Sequence, residues 1–484
     1  MKLCMLIKNI NCRIVGSSIV EIKGLYHKDT EVKEGGLFFC LRGTRVDGAD
    51  FVKSAIKNGA VAIVTEQEIQ NLTRVTQVIV KNARETMSLI ACKFYGNPSE
   101  KLCMIGVTGT NGKTTTTNMM SFILEGLGRK TAIVGTNGIF IKGNKIDSGM
   151  TTPDPIDLQK HLALMVKNKV EYVCIEVSAH AAFLNKVDGM VFDIMVFTNL
   201  TEDHLDFFKT INNYFNAKAK LFTRKHTKYA ILNVDDERVK RLVSSINLPF
   251  NTYAINTEAD FQAKDILLTK CGQKFSVGNI PFEISMAGKF NISNALAAVA
   301  SIYCLGFGLD DISKILKTMP AVEGRFNCFE IDEKLIIIDY AHTPDGLRNI
   351  LSICKDMVKD KKVISVFGCG GNRETQKRSI MGEISSKIAD FTIITTDNPR
   401  FENRNEIAKQ VENGVIGHNY LIELDRSCAI RRAINIAEKG DIVVVAGKGS
   451  EPYIEENGIK IPYSDIVEIE KIRREFYGGV LSTD

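Results

Sequence analysis

Short apolar runs recur along this chain, each ending in a polar, Gly-rich or Asp-rich turn and followed by a stretch whose apolar positions repeat at helical spacing. In the N-terminal part the runs are "GLFFCL" (36–41), "AVAIVTE" (60–66) and "TQVIVK" (76–81), with helices predicted over Asp50–Asn58 and Ala83–Tyr95. The segment "YGNPSEKL" (95–102) then breaks the rhythm with Gly and Pro and reads as a linker. A second block opens on "LCMIGV" (102–107), a Gly-rich turn and a predicted helix over Thr114–Leu127. It continues through the buried-looking runs "KTAIVGT", "EYVCIEVS", "FDIMVFTNL" and "YAILNVD" and closes with the helix "NISNALAAVASIYCLG" and the loop "AVEGRF". A third block repeats the rhythm with "KLIIIDYA", "KVISVFGCGG", "DFTIITTDNPR" and "DIVVVAGKGS".

Continuous apolar strands alternating with helices predict parallel sheets covered on both faces. The fold class is therefore α/β in three domains. A smaller N-terminal α/β domain is expected over 1–98, a central domain with a parallel sheet over 99–325, and a doubly wound, Rossmann-like C-terminal domain over 326–484. Ligands of open α/β sheets sit at the carboxyl ends of the strands, so the polar turns after the apolar runs are the candidate binding loops. A length of 484 residues agrees with several domains, because one core does not organise so long a chain. The net charge of +5 is small and dispersed, which argues against a nucleic-acid partner. The 12 cysteines are scattered without a CxxC pair and read as reduced thiols. No apolar run reaches membrane-spanning length and the N-terminus lacks the apolar core of a signal peptide, so a cytoplasmic protein is expected.

The turn "TGTNGKTTTTN" (108–118) carries the first chemistry. Compared with GxxxxGK[ST] it is a variant, since Val107 stands at the first position and Gly106 lies one residue early. The physical requirements are nevertheless met. Gly109 and Gly112, with Thr110 and Asn111 between them, let backbone N–H groups approach phosphate oxygens, Lys113 supplies a point charge, and Thr114 and Thr115 open a helix N-terminus where a hydroxyl can reach Mg²⁺. ATP or GTP is the expected ligand. A motor, a switch, a kinase and a ligase could all use such a loop. Other residues narrow the choice: Glu176 in "CIEVSAH" and His204 in "TNLTEDHLDFF" each follow an apolar strand, where a metal ligand could reach the loop. By itself His204 could equally be structural, and Lys218 in "YFNAKAKLF" would by default be a solvated lysine.

The segments "GTNGKTTTT", "TTPDP", "EVSAH", "NLTEDHLD", "YFNAKAKLF", "GKFNISNALAA", "EGRF" and "DYAHTPDGL" resemble, in order and spacing, those of the Mur ligases, ATP-dependent amide-bond synthetases of peptidoglycan assembly. The resemblance covers nearly the whole chain. It implies a central ATPase domain between a UDP-precursor domain and an amino-acid domain. It also implies two Mg²⁺ ions held by Thr114, Glu176, His204 and a Lys218 converted by CO₂ to N6-carboxylysine. Lys113, Lys218 and His204 would then be catalytic. Asn294, Arg325 and Asp339 would complete the nucleotide site, and Thr151, Thr152, Ser178 and Lys186 would hold the UDP-precursor. Lys220 matches no family position and reads as a surface residue.

The implied reaction is attack of a D-glutamyl carboxylate on the γ-phosphorus of ATP, then displacement of phosphate from the acyl phosphate by an amine. "VFGCGGNRE", "DNPR" and "GKGSE" further resemble the branch that adds meso-diaminopimelate to UDP-MurNAc-L-Ala-D-Glu. Arg400 and Asn398 would then meet the distal carboxylate and Glu451 the distal ammonium, with Arg373, Asp397 and Gly447 around them, a charge pattern suited to a zwitterionic head. The sequence also departs from the family. Lys28-Asp29-Thr30 stands where Asp-Ser-Arg is usual, Lys186 replaces an Arg, Asn372 replaces Asp and Ser450 replaces His. These changes keep open a paralogue that joins lysine or another amino acid to the same or a different carboxylate. A folylpolyglutamate synthetase would not predict the N-terminal uridine-binding block, and a non-catalytic switch would not retain Lys113, Glu176, His204 and Lys218 together. A monomer is expected.

Overall fold

The computed structural model describes residues 1–478 apart from 44–45, 73, 147–148, 270–271 and 359. It confirms an α/β architecture built on three main sheets. The first has five strands in the order Cys12–Val15, Thr76–Val80, Ala60–Thr65, Gly36–Phe39, Gly24–Tyr26, parallel except for the first pair. Its core joins Leu37, Phe39, Ala62, Val64 and Val78 to Met87 and Ile90 of the helix Ala83–Phe94.

The second sheet has eleven strands. A run of parallel strands, Thr131–Gly135, Tyr172–Glu176, Cys103–Thr108, Phe192–Phe197, Thr227–Asn233, Phe250–Ala254 and Phe261–Thr269, is flanked by antiparallel additions at both edges. Cys103–Thr108 lies in the middle, and the chain leaves it to one side for Thr131–Gly135 and later crosses to the other for Phe192–Phe197. That reversal opens a crevice at the carboxyl end of Cys103–Thr108, where the phosphate loop begins. Helices cover both faces. On one face Met119, Met120, Ile123 and Leu124 of Lys113–Gly126 pack with Ile292, Ala295 and Ala298 of Lys289–Cys304. The alanines of "ALAAVA" have no bulk to hold the two helices apart.

The third sheet has six strands in the order Asn327–Ile331, Lys334–Asp339, Ile442–Ala446, Val363–Phe367, Phe391–Ile394, Tyr420–Ile422, antiparallel only at its first pair. A two-stranded hairpin, Tyr453–Glu456 with Ile459–Pro462, stands apart from it.

Two predicted helices shift. The stretch Asp50–Asn58 is a 3₁₀ turn over Gly48–Phe51, capped by the Asp47 carboxylate on Ala49 N, followed by an α-helix over Val52–Lys57. The helix predicted from Thr114 begins at Lys113, because Gly112 takes a left-handed conformation (φ 86°) and forms the cap. No helix among the described residues is long and apolar enough to cross a membrane.

Candidate active site

The carboxyl ends of the second and third sheets face each other across a cleft of about 390 Å³. One wall is the phosphate loop. Its shape is imposed by the neighbouring "TNLT" segment: Thr110 N donates to Asn199 O (2.9 Å), Asn111 N to Asn199 Oδ1 (2.9 Å), and Thr198 Oγ1 to Asn111 O (2.6 Å). Gly109 (φ 145°) could not carry a side chain there, since a Cβ would press on Thr198 and on the Asn199 backbone.

Thr110, Asn111, Gly112, Lys113, Thr114 and Thr115 all line the cleft. Gly109 does not, yet its carbonyl accepts from two ammonium groups, Lys113 Nζ (2.9 Å) and Lys218 Nζ (2.7 Å); Lys113 also donates to Thr110 O (2.8 Å). Both amines lose basicity through burial. Lys218, which is buried and lies 4.5 Å above the Tyr214 ring, is pushed well below the ordinary lysine range, first by burial and then by the charge of Lys113. The default expectation of a solvated Lys218 is thus overturned. Lys220 is partly exposed, 3.6 Å from the buried Asp188 carboxylate and donating to Ala182 O.

Glu176 is buried at the end of its strand and accepts from Thr114 Oγ1 (2.9 Å), Thr136 N (2.9 Å) and Thr136 Oγ1 (3.1 Å). Thr136, which sequence reasoning passed over, thereby aims the carboxylate at the loop. His204 occupies a left-handed position (φ 56°), and burial lowers its imidazole to about 4, so it is a neutral ligand-type nitrogen at neutral pH. Its neighbour Asp203 was also missed. Burial opposes the Asp203 carboxylate, but His204, His342 and Lys377 and the His204 N–H hold it below the usual range. Among the described residues no three His, Cys, Asp or Glu side chains converge as a metal cage. The donors that do converge, the Thr114 hydroxyl and the Glu176 carboxylate, are hard oxygens beside a phosphate loop, which suits Mg²⁺ that takes its remaining ligands from phosphate and water.

The third sheet supplies the opposite wall. Arg325 crosses to the loop, donating to Thr114 Oγ1 (3.2 Å) with its guanidinium 4.4 Å from the Tyr340 ring centre. Asp339, whose pKa is raised by burial against the pull of Arg325, fixes the junction by accepting from Phe326 N (2.9 Å) and Ala341 N (2.8 Å). Asn294, on the helix behind the loop, turns its side-chain oxygen toward Gly112. Ser450 Oγ donates to Asn137 Oδ1 (3.2 Å), a second contact between residues of the two sheets.

Arg373, Asp397, Asn398, Arg400, Gly447 and Glu451 share this wall. Asn398 Nδ2 donates to Glu451 Oε2 (2.6 Å), and the fully buried Lys448 donates to Asn398 Oδ1 (3.0 Å) and Glu451 Oε2 (2.8 Å). Lys448 was not foreseen, because a lysine in a Gly-Lys-Gly turn reads as solvated. Gly447 favours glycine because φ is 115°, and a Cβ there would also shift the Asp397 carboxylate, which it would meet at 2.8 Å. Of the precursor candidates, Thr151 and Ser178 line the cleft. Thr152 is buried behind it, donating to Glu176 O (2.8 Å) and accepting from Ser178 N (3.1 Å), and Lys186 lies outside, paired with Asp154 (2.8 Å). Lys28-Asp29-Thr30 enters a 3₁₀ turn in which the exposed Lys28 pairs with Glu31 (2.8 Å).

A phosphate loop at a switch point, closed by a second α/β sheet that brings an arginine to the loop threonine, defines an enzyme that activates a substrate with a nucleotide inside a two-walled cleft. Comparison with known proteins agrees. The chain matches the Mur ligase middle domain over residues 107–302, the Mur ligase glutamate ligase domain over 324–449 and the Mur ligase family catalytic domain over 21–95. It is 41% identical over 461 residues to UDP-N-acetylmuramoyl-L-alanyl-D-glutamate–2,6-diaminopimelate ligase 1 of Clostridium acetobutylicum, covering 94% of this chain and 95% of that protein. It is 40% identical over 482 residues to the ligase of that name from Caldanaerobacter subterraneus subsp. tengcongensis, covering 98% and 99%. A solved structure of such a ligase superposes with a TM-score of 0.70 at 28% identity, covering 99% of both chains. The chain belongs to the Mur ligase family and is an ATP-dependent, ADP-forming ligase.

Proposed function

We propose that this enzyme joins the amine of meso-diaminopimelate to the D-glutamyl carboxylate of UDP-MurNAc-L-Ala-D-Glu, at the cost of ATP hydrolysis to ADP, in peptidoglycan precursor synthesis. The observation that carries the reading is the shared cleft: the phosphate loop and the Asn398–Arg400–Glu451 group line one cavity, so an activated carboxyl and an amino acid can meet in it. Relatives about 40% identical bear the name of this activity.

In the mechanism we infer, Gly109–Thr115 cradle the triphosphate and Lys113 moves from the loop carbonyls to the outer phosphates. Asn294, Arg325 and Asp339 hold the rest of the nucleotide. Thr114, Glu176, His204 and a modified Lys218 would hold two Mg²⁺ ions, which when bound neutralise phosphate charge. An amine kept neutral by burial is the form that adds CO₂, and as a carbamate Lys218 becomes an oxygen ligand in place of a repelling cation. The precursor would run along Thr151 and Ser178, from the N-terminal domain (1–98) to the central domain (99–325), with Lys186 outside the cleft on its way and Thr152 supporting Ser178 from behind. The precursor carboxylate attacks the γ-phosphorus, ADP leaves, and the amino acid held by the C-terminal domain (326–484) displaces phosphate. Arg400 would meet the distal carboxylate and Glu451 the distal ammonium. Because the cleft is complete within one chain, a monomer suffices, and a UDP-linked precursor with ATP points to the cytoplasm.

One observation favours a second reading, a ligase for lysine or another amino acid: Arg400 is already paired within the protein, with Glu455 (3.1 Å). Phosphate release measured with UDP-MurNAc-L-Ala-D-Glu against a panel of amino acids tests both readings. Stimulation by diaminopimelate alone supports the first, and stimulation by lysine to the same degree overturns it.

A further inference from the structure

We infer that Glu455, on the hairpin outside the cleft, is a specificity-positioning residue that sets the orientation of Arg400 toward the amino acid; the inference rests on Arg400 being the clamp for the distal carboxylate. Arg400 lines the cleft and Glu455 does not, so the carboxylate stands behind the guanidinium. It takes the Nε–H (Glu455 Oε2, 3.1 Å), while Nη1 donates to Gly371 O (2.7 Å). A guanidinium has five N–H donors in a fixed plane. With two engaged by the protein, the three remaining ones are on Nη1 and Nη2, where they can meet a carboxylate.

The backbone is fixed in the same way. Arg400 adopts a left-handed conformation (φ 52°), which a long side chain keeps only where its surroundings dictate it. The hairpin does so: Arg400 N donates to Glu455 O (2.9 Å) and Asn457 N donates to Arg400 O (2.6 Å). Glu455 N donates in turn to Asn398 Oδ1 (2.9 Å), the atom that also accepts from Lys448. One residue further on, Glu456 pairs with Arg404. The turn residues Asn457 (φ 51°) and Gly458 (φ 78°) suit a tight hairpin and hold this register. The hairpin otherwise hydrogen-bonds as a sheet only to itself among the described residues, so these contacts account for its position. Glu455 also neutralises Arg400 while the site is empty, which lowers the penalty of keeping a half-buried cation there.

The test uses the full-length enzyme, with the amino acid varied at saturating ATP and precursor. Glu455→Ala frees the Nε edge and should raise KM for diaminopimelate by about tenfold or more, and lower the preference over lysine by a like factor, with KM for ATP and precursor unchanged. Glu455→Gln keeps an acceptor for Nε and should stay within about threefold of wild type. An unchanged amino-acid KM in Glu455→Ala overturns the inference. So does a parallel rise in KM for ATP, which marks a merely structural role, or equal damage by Gln and Ala, which marks charge rather than positioning. Failure of the underlying reading shows separately, as equal use of lysine and diaminopimelate by the wild type.

Discussion

Replacing Lys218 by alanine puts the proposed chemistry to its sharpest test. In the unmodified protein two ammonium nitrogens share one oxygen, Gly109 O, at 2.9 Å from Lys113 and 2.7 Å from Lys218, so they lie no more than 5.6 Å apart (2.9 + 2.7). At an effective dielectric of about 20, two positive charges at that separation repel by roughly 3 kcal/mol or more, on top of the cost of burial. Lys218 is buried, and a lone buried cation next to another one is relieved by losing its proton. A neutral amine can then take up CO₂. If Lys218 served only to fill space, removing it would relieve the repulsion and leave turnover intact or improved. If it acts as a carbamate, Lys218→Ala removes a ligand oxygen near transferring phosphate, and kcat should fall by about 10²- to 10³-fold, the scale of losing one preorganised stabilising group. A short carboxylic acid in the buffer should restore part of the activity by occupying the vacated volume. The assay is phosphate release in buffer cleared of CO₂ and in buffer supplied with bicarbonate, with ¹³C-labelled bicarbonate reporting the carbamate by NMR. The amine is neutral only above its lowered pKa, so the labelled signal should be present at high pH and fade as pH falls through that value. A fully active Lys218→Ala, or an active wild type without a carbamate signal, refutes the reasoning.

Arg400→Ala should abolish most of the preference for diaminopimelate over lysine while nucleotide binding, measured by calorimetry, persists. A charge-assisted pair contributes about 1.5–3 kcal/mol, so the wild-type preference to be lost is roughly 10- to 150-fold. Gly324→Ala should cut kcat by about tenfold or more without abolishing nucleotide binding, because φ is 72° there and a Cβ would meet the Gly449 carbonyl carbon at 2.6 Å, displacing the neighbouring Arg325. The imidazoles of His180, His204 and His342 are held near 4, principally by burial, against an ordinary value of about 6.5 in the unfolded chain. The unfolded state therefore takes up protons first, and the melting temperature should fall as pH drops from about 6.5 toward 4; His342→Gln should lessen the fall, and a flat profile would contradict the assignment.

The apolar runs were legible because a strand buried on both faces must be apolar throughout, as in "VISVF" and "IVVVA". The phosphate loop was legible because its glycines answer a local backbone demand. What stayed hidden depends on partners distant in sequence. Lys448 is buried because Asn398, fifty residues away, accepts from it. Arg325 meets Thr114 and Ser450 meets Asn137 across still longer separations. The edge hairpins, including the one that carries Glu455, have short and partly polar strands, and half-exposed positions leave no periodic signal. Thr152 and Lys186 show the converse limit. A motif gives residue types at a spacing, but not that the Thr152 hydroxyl is engaged by Glu176 O and Ser178 N, or that Lys186 faces Asp154.

The walls of the cleft explain why both sheets are needed. Phosphoryl transfer to a carboxylate brings two anions together, a step that positioned cations in a poorly solvated space assist most. The second sheet alone supplies Lys113 at the loop; the third adds Arg325 from the junction and Arg373 and Arg400 from its strand ends. With the cleft empty, Lys113 rests on Gly109 and Thr110 carbonyls and Arg325 on the Thr114 hydroxyl. Arg400 rests on Glu455 in the same way. Each of these contacts is to a neutral dipole or a single carboxylate, weaker than a polyphosphate or a bidentate carboxylate could offer. At these three cations the substrates therefore displace resting partners instead of meeting unpaired charges. The cleft can stay folded without them and still bind them through the same cations.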